Sequence, residues 1–332
     1  MAARRRGKKK SGRSYAWRYR GRIVACVFVE VIIICALVIM IGWNKGVKEW
    51  FEQFEQPVLK EVDISGINSP NAILMQARGG KILGEINGEA QIYPASMTKI
   101  MTVILGIENF DDLDEKITLT NEMFSGLYEQ DATQAGFQPG EEVRVIDLLY
   151  GAMLPSGAEC CIALADTISG SEADFAELMN KKAGKLGMEN THFCDSTGLH
   201  NPDHYSTVKD IAVLMKYCIK NDTFREIVET SRHSTGVTNI HPDGITYYST
   251  MFKNLSDPTV TGGKILGGKT GYTSEAGHCL VSFAEIEGRD YIFVSAGASG
   301  ADGNTIPHIQ DAVTVYNRVG AAIEEKMNDN NK

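Results

Sequence analysis

Apolar strand patterns lie toward the two ends of the chain after residue 61, and helical patterns lie between them. The first hairpin is predicted from two apolar strands, NAILMQA and KILGEIN, joined by a Gly turn, RGG. HCLVSFAEI, EGRD and YIFVSAGA predict a second hairpin far along the sequence. A final helix, from about Ile306 to Met327, is predicted by apolar residues at helical spacing: Ile309, Val313, Tyr316, Val319 and Ile323.

The middle of the chain is mostly helical in pattern. Two predicted helices flank a break at Pro155, with the sequences VRVIDLLYGAM and CIALADTI. A third predicted helix follows, FAELMNKKAGKLGM. TVKDIAVLMKYCI comes last, with Ser206 and Thr207 in capping position before Asp210. Strands from both ends with helices between them predict an α+β fold: one sheet built from both termini, covered by helices, plus a helical insert.

An uninterrupted apolar run precedes this pattern. Ile23 to Trp43 comprises 21 residues, long enough to cross roughly 30 Å of hydrocarbon as a helix. Residues 1–22 carry ten Lys or Arg and no Asp or Glu. We therefore expect an uncleaved transmembrane anchor over residues 23–43, with the basic tail 1–22 in the cytoplasm and the remaining chain outside. Glu30 lies within the span, either as a helix-contact or functional site or as a carboxyl protonated in lipid.

The remaining segments follow from composition. Residues 44–61 mix charge with aromatic residues and are interpreted as a stalk, residues 62–327 as one catalytic-sized domain, and residues 328–332 as a polar tail. A nucleic-acid partner is not needed to explain a basic flank beside an anchor.

Outside the anchor, which holds Cys26 and Cys35, the number of cysteines is odd and no metal-type CxxC spacing occurs. We expect neither a full disulfide framework nor a zinc site, and most of these thiols in the core: Cys160, Cys161, Cys194, Cys218 and Cys279.

Ser96 and Lys99 stand three residues apart in YPASMTKIMT, at the start of a predicted buried helix. This spacing places both side chains on one helix face, so the Lys99 amine can reach the Ser96 hydroxyl. A lysine whose pKa is depressed by burial can take the serine proton, and the Ser96 N–H in the first turn is free to stabilise an oxyanion. Taken alone, the spacing is also typical of an ordinary surface helix.

GGKTGYTSEAG places Lys269, Thr270 and Gly271 directly before a predicted strand. Such a strand edge can offer a cation and a hydroxyl to a carboxylate, Gly allows close backbone approach, and the Tyr272 N–H is a candidate second oxyanion donor. A Gly-rich turn without function is the alternative.

Ser156 lies in LPSGAECC, at the break between two apolar helices. The Ser156 hydroxyl can project into a cleft and relay a proton. The alternative is that Ser156 only caps the following helix. The order S-x-x-K, serine turn, K-T-G is the signature set of penicillin-recognising serine enzymes.

With these motifs the chain resembles the penicillin-binding protein and β-lactamase superfamily, and most closely its low-molecular-mass D-alanyl-D-alanine carboxypeptidases. The likeness covers about Ser69 to Phe293 and is carried by the blocks YPASMTKIMT, QPGEEVRVIDLLYGAMLPSGAE, FAELMNKKAGKLGMENTHF, STGLHNPDHYSTVKDIA and GGKTGYTSEAGHCLV. The resemblance implies the β-lactamase/transpeptidase-like fold: an antiparallel sheet flanked by helices, an all-helical lobe, and an active site in the cleft between them.

The resemblance also implies a role for each motif residue. Ser96 would be the acylated nucleophile, with Lys99 as its base and Ser156 as the proton relay. The K-T-G residues would hold the terminal carboxylate of the substrate, and the Ser96 and Tyr272 amides would form the oxyanion hole. The implied reaction removes the last D-alanine from peptidoglycan stem peptides ending in D-Ala-D-Ala at the bacterial cell membrane, is inhibited covalently by β-lactams, and needs no metal or cofactor.

One position departs from the family pattern. Ala158 stands where the second motif usually has an Asn, which puts substrate preference and efficiency in doubt more than the nucleophile; the following Glu159 is not shown to substitute.

Two alternative functions remain. A β-lactamase needs a carboxylate that activates the deacylating water, and no matching acidic loop is found. A penicillin-binding sensor with little turnover needs a cytoplasmic effector larger than the basic tail.

The histidines that invite a metal or triad interpretation have spacings that match no ligand motif: His192, His200, His204 and His278. Serine–lysine chemistry leaves no role for a histidine base. They are interpreted as loop histidines with satisfied hydrogen bonds.

Overall fold

A computed structural model describes residues 59–300 and 306–330. The basic tail, the anchor with Glu30, and the stalk as far as residue 58 lie outside the described residues. The strands are β1 Asn71–Gln76, β2 Lys81–Ile86, β3 Lys116–Thr118, β4 Glu142–Arg144, β5 Arg232–Ser234, β6 Thr246–Tyr248, β7 Thr259–Val260, β8 Gly263–Thr273, β9 Gly277–Ile286 and β10 Arg289–Ala298. Six of them form one antiparallel sheet in the order β2-β1-β10-β9-β8-β7.

The two predicted hairpins are confirmed, and both termini of the domain meet in the sheet because β1 pairs with β10. The turn between β9 and β10 is Glu287–Gly288, with φ of 48° and 70°. Two central residues with positive φ are typical of a type I′ turn, whose twist matches that of the flanking strands.

Seven helices are present in the described residues: α1 Lys99–Asn109, α2 Val145–Met153, α3 Ala158–Ser169, α4 Glu172–Leu186, α5 Val208–Cys218, α6 Asp222–Glu229 and α7 Pro307–Asn330. The predicted cap of α5 is confirmed, since the Thr207 side chain accepts a hydrogen bond from the Asp210 N–H at 3.0 Å. The predicted break at Pro155 separates α2 from α3.

The sheet is buried on both faces, and successive residues of β9 alternate between two apolar cores. Cys279, Val281 and Phe283 point into the larger core, which the sheet shares with most of the helices. Leu280 and Ile286 point into a second core, against α7. A sheet covered on both faces reads as a nearly continuous apolar run, as HCLVSFAEI does. The α+β prediction, an antiparallel sheet flanked by helices, is confirmed.

Several boundaries differ from the sequence prediction. The last helix runs to Asn330, three residues beyond the predicted end at Met327, so the expected polar tail begins inside it. Leu59 is buried in the second core, although it belongs to the segment interpreted as a stalk. Helix α6 and the two-stranded sheets β3–β4 and β5–β6 were not predicted. Strands of three residues carry too little periodicity to be recognised. Within residues 59–300 and 306–330, no helix has the length and apolar character needed to cross a bilayer.

Candidate active site

Ser96 lies in a tight turn that leads into α1. Residues Ala95–Thr98 form a 3-10 helix after Pro94, and Ala95 has a φ of 47°, a left-handed conformation that a non-glycine residue rarely adopts. The turn is tighter than the α-helical first turn expected from sequence. It still directs Lys99, the first residue of α1, back toward the serine, and the Lys99 Nζ donates to Ser96 Oγ at 3.0 Å.

The Lys99 side chain is almost completely hidden from water, with 3% exposed. Its Nζ also donates to the Thr197 carbonyl at 2.6 Å. Burial lowers the pKa of Lys99, and the nearby Cys161, Asp195 and Glu159 oppose this shift only in part. A lysine of this kind holds its proton weakly, as a general base must.

Ser156 occupies the break between α2 and α3 with a φ of 72°, so the chain accepts backbone strain in order to place this side chain. The Ser156 hydroxyl donates to Ser96 Oγ at 3.0 Å, and in turn accepts from Lys269 Nζ at 3.0 Å. The four side chains therefore form one hydrogen-bonded chain, Lys99–Ser96–Ser156–Lys269.

Lys269 lies on β8 and is only 1% exposed. Its Nζ donates to the Thr270 carbonyl at 2.8 Å, and burial together with the charge of Lys99 lowers the pKa of Lys269 well below its usual value. The neighbouring side chain, Thr270, points to the other side of the strand, where its hydroxyl lies 2.7 Å from the hydroxyl of Thr250.

The glycine of K-T-G brings β8 against the serine turn. A Cβ on Gly271 would lie 2.9 Å from the Ser96 N, closer than real side chains come, so only glycine allows this approach. Beyond Lys264, β8 has no strand partner on the side of β7 among the described residues, which leaves an open strand edge. Tyr272 is 61% exposed, and its ring lies 4.7 Å from that of His278.

A cleft of about 560 Å³ opens above this arrangement. Five of the seven predicted site residues line it: Ser96, Ser156, Thr270, Gly271 and Tyr272. Lys99 and Lys269 lie beneath its floor, joined to it through the two serines. All seven predicted residues are therefore brought together by the fold.

A family model for D-alanyl-D-alanine carboxypeptidases matches residues 58–300. The chain belongs to the D-alanyl-D-alanine carboxypeptidase family. The resemblance recognised in the sequence motifs is confirmed.

Among carboxypeptidase relatives, the chain is 35% identical to the D-alanyl-D-alanine carboxypeptidase DacF of Bacillus subtilis over 231 residues, which cover 69% of this chain and 57% of DacF. It is 33% identical to DacC of Escherichia coli over 262 residues, covering 71% of this chain and 58% of DacC. The chain thus spans less than three fifths of the length of either relative. The crystal structure of the Streptomyces K15 DD-transpeptidase superposes with a TM-score of 0.69 at 29% identity, over 79% of this chain and 100% of that one.

The sequence analysis assigned no role to the loop that contacts the Lys99 amine. The segment Asp195–Leu199 contributes the Thr197 carbonyl, yet STGL was noted only as part of a family block. Asp followed by Ser, Thr and Gly is a composition typical of a turn, and that was the available signal. Thr250 was missed as well, because nothing in the sequence near it marks a site.

The departure from the family's second motif is visible in the structure. Ala158 is buried, and its N–H donates to the Thr133 carbonyl at 2.8 Å. One Glu159 carboxylate oxygen accepts from the N–H groups of Ala135 at 2.6 Å and Gly136 at 2.9 Å. Burial raises the pKa of Glu159, although these backbone hydrogen bonds oppose the shift. Glu159 thus holds the loop along one side of the cleft and does not contact Ser96.

The four histidines singled out in the sequence and the five cysteines lie in different environments. His204 is buried and lies 2.9 Å from Thr98 Oγ1, and His192 contacts the Asp203 carbonyl at 2.7 Å. His200 and His278 line the cleft, and His278 lies on β9, so the interpretation as a loop histidine is wrong for this residue. The five cysteines of the described residues are free thiols, and all except Cys194 are buried. Within residues 59–300 and 306–330, no group of His, Cys, Asp or Glu has an arrangement that would hold a metal ion.

Proposed function

We propose that this protein is a serine DD-carboxypeptidase that removes the terminal D-alanine from peptidoglycan stem peptides ending in D-Ala-D-Ala. The observation that carries the proposal is the hydrogen-bonded chain Lys99–Ser96–Ser156–Lys269 on the floor of the cleft. The substrate class comes from the family and from the names of relatives such as DacF and DacC.

The first chemical step is acylation of Ser96. A neutral Lys99 amine takes the hydroxyl proton while Ser96 Oγ attacks the carbonyl between the two D-alanines. The negative charge that develops on the carbonyl oxygen is stabilised by the N–H groups of Ser96 and Tyr272, which belong to the serine turn and to β8. The close approach of Gly271 to the Ser96 N supports this pairing of donors.

The leaving D-alanine needs a proton on its amine and a partner for its carboxylate. Ser156, hydrogen-bonded both to Ser96 and to Lys269, is placed to pass the proton. A carboxylate lying over β8 would meet the Thr270 hydroxyl and the positive field of Lys269. Water activated by Lys99 then hydrolyses the ester on Ser96 and restores the enzyme.

β-Lactams would acylate the same serine, because their strained amide offers a similar carbonyl beside a carboxylate.

We further propose that residues 23–43 anchor the protein in the bacterial cell membrane, with residues 1–22 in the cytoplasm and the catalytic domain outside the cell. The 21-residue apolar run and the ten basic residues that precede it support this orientation.

Intact-mass measurement after incubation with benzylpenicillin tests the acyl-enzyme. We expect a penicilloyl adduct on the wild-type chain and none on Ser96→Ala. Labelling that survives the substitution would move the nucleophile elsewhere. In parallel, a stem pentapeptide should lose a single D-alanine, and no release under a broad range of conditions would reject the carboxypeptidase.

A transpeptidase is the second candidate, since the structural relative from Streptomyces K15 carries that name. The two activities share the acyl-enzyme and differ in whether water or an amine resolves it. Adding a D-amino acid as acceptor separates them: a new peptide with the acceptor at its end indicates transfer, and free D-alanine with a shortened stem indicates hydrolysis. Rapid turnover of penicillin would instead support a β-lactamase. A stable penicilloyl adduct without turnover of the peptide would support a penicillin-binding sensor.

A further inference from the structure

The orientation of Lys99 depends on a backbone carbonyl. Among the described residues, the hydrogen-bond partners of its Nζ are Ser96 Oγ at 3.0 Å and the Thr197 carbonyl at 2.6 Å. The family's second motif usually offers an Asn amide in this region, but Ala158 has only a methyl group. The loop that carries Thr197 therefore decides where the amine points.

Asp195 fixes that loop. Its Oδ1 accepts three hydrogen bonds of 2.7 Å, from the Thr197 N–H, the Thr197 hydroxyl and the Gly198 N–H. Gly198 has a φ of 79°, and a Cβ there would lie 1.9 Å from the Ala95 carbonyl oxygen. The loop is thus folded around a carboxylate and packed directly on the serine turn.

His204 joins the carboxylate to the serine turn, at the residue directly before α1. The imidazole is 2% exposed, with Nδ1 3.1 Å from Asp195 Oδ2 and Nε2 2.9 Å from Thr98 Oγ1. On the other side of Lys99, the Thr102 hydroxyl donates to the Ser196 carbonyl at 2.6 Å. The loop is therefore tied to the serine turn before the lysine and to α1 after it.

We propose that Asp195 and His204 are positioning residues for the base: they hold the Thr197 carbonyl against Lys99, keep the amine directed at Ser96, and thereby take over the orienting role of the absent Asn. The inference deepens the proposed function and rests on it. A buried carboxylate with three local donors and a histidine partner gives this loop a single conformation, which a backbone carbonyl contact requires.

Asp195 also contributes charge. The groups facing Lys99 are Glu159, Cys160 and Cys161 from α3, Asp195 from the loop, and Lys269 from β8. Burial would raise the pKa of Asp195, but hydrogen bonds from His204 and Thr197 lower it to about 2, so the carboxylate is ionised at neutral pH. Its negative charge stabilises the protonated form of Lys99, and removing that charge should lower the pKa of the lysine.

The test compares Asp195→Asn and Asp195→Ala in the full-length chain, with Asp203→Asn as a matched control on an exposed residue of the same region. We measure the rate of acylation by benzylpenicillin from pH 5 to pH 10, and kcat and KM on a D-Ala-D-Ala peptide. In Asp195→Ala, acylation should slow by about 100-fold with KM nearly unchanged. In Asp195→Asn, the rising limb of the pH profile should move by about one unit to lower pH, because Lys99 loses its proton more easily. Asp203→Asn should behave as wild type.

Coupling between the two positioning residues is tested with His204→Leu and the double variant Asp195→Asn/His204→Leu. If the pair acts as one unit, the double variant should be no slower than the worse single variant by more than about twofold.

The outcomes separate the two proposals. Wild type that is not acylated rejects the proposed function itself. Wild type that is acylated, with Asp195→Asn matching its rate and pH profile, overturns the positioning role, as do additive effects of the two single variants. If Asp195→Ala fails to fold, as a thermal melt would show, the pH profile of Asp195→Asn decides.

Discussion

Asp311 and the lysine pair Lys99 and Lys269 are equally hidden from water but have opposite kinds of hydrogen-bond partners. Asp311 on α7 is 1% exposed and accepts four hydrogen bonds of 2.6–2.9 Å from the backbone and side chains of Asn68 and Ser69. Lys99 and Lys269 are 3% and 1% exposed. Within residues 59–300 and 306–330, neither lysine has a carboxylate within ion-pair distance, and their partners are hydroxyls and carbonyls.

The difference separates a structural cluster from one that is reactive under the proposed function. Complete pairing gives every Asp311 carboxylate oxygen a hydrogen-bond donor, and these bonds attach the chain before β1 to α7. Incomplete pairing leaves the two ammonium groups poorly compensated, so burial lowers both pKa values. A buried group whose pKa is lowered in this way contributes less to the free energy of unfolding. It is better suited to proton transfer, because it gives up its proton more easily.

The largest expected effect comes from Lys99→Met, which removes the amine and keeps the length of the side chain. Acylation by benzylpenicillin should fall by about 1,000-fold, since a positioned base contributes this order of rate enhancement. The free energy of unfolding should stay within about 1 kcal/mol of wild type, because a poorly paired buried cation is replaced by an apolar group. Stopped-flow acylation and urea denaturation at pH 7 measure the two quantities.

Lys99→Arg serves as the control for charge. The guanidinium keeps the positive charge but does not lose its proton, so activity should be absent at every pH. An active Lys99→Arg, or a large loss of stability in Lys99→Met, would contradict the assignment of this cluster as reactive.

Asp311→Ala should give the reverse result. Removing the carboxylate leaves the buried donors of Ser69 and the partly buried donors of Asn68 without an acceptor, so the free energy of unfolding should drop by about 3 kcal/mol. The acylation rate of the folded fraction should remain within about threefold of wild type, because the cleft floor is not touched. The exposed Asp203→Ala is the control for urea denaturation, and a loss of less than about 1 kcal/mol in Asp311→Ala would show that the cluster is not structural.

A smaller effect is expected from Gly271→Ala. The added Cβ would come within 2.9 Å of the Ser96 N and must push β8 away from the serine turn. We expect about a tenfold drop in acylation rate, as the oxyanion donors separate, with a folded protein by circular dichroism. Unchanged kinetics would mean that β8 and the serine turn need not be in close contact.

The smallest effect concerns pH and stability. Because the pKa of Lys99 is lowered in the folded protein, the unfolded chain binds more protons between that pKa and the ordinary value of 10.5. The free energy of unfolding should therefore rise with pH across this window, relative to Lys99→Met, which lacks the group. Urea denaturation of both proteins at pH 7 and pH 10 measures the difference, and an equal pH response would indicate that the lysine is not depressed.

The sequence was informative where chemistry is local. Ser96 and Lys99 are three residues apart, so one turn of helix suffices to place them in contact, and the motif predicts the pair. The hairpins around RGG and EGRD also follow from short-range pattern and turn composition. The loop Asp195–Leu199 was not assigned a role because its partner, Lys99, lies about one hundred residues away, and no local pattern encodes such a distance.

The sequence by itself determined most of the helices, the two long hairpins, the family, and the motif residues that meet at the cleft, since each of these depends on short motifs and on periodicity. Only the tertiary structure decided how those groups meet. Ser156 and Lys269 reach Ser96 from separate elements, and the packing of the folded domain buries both lysines. The chemical state of a lysine depends on everything packed around it, and that environment is a property of the whole fold.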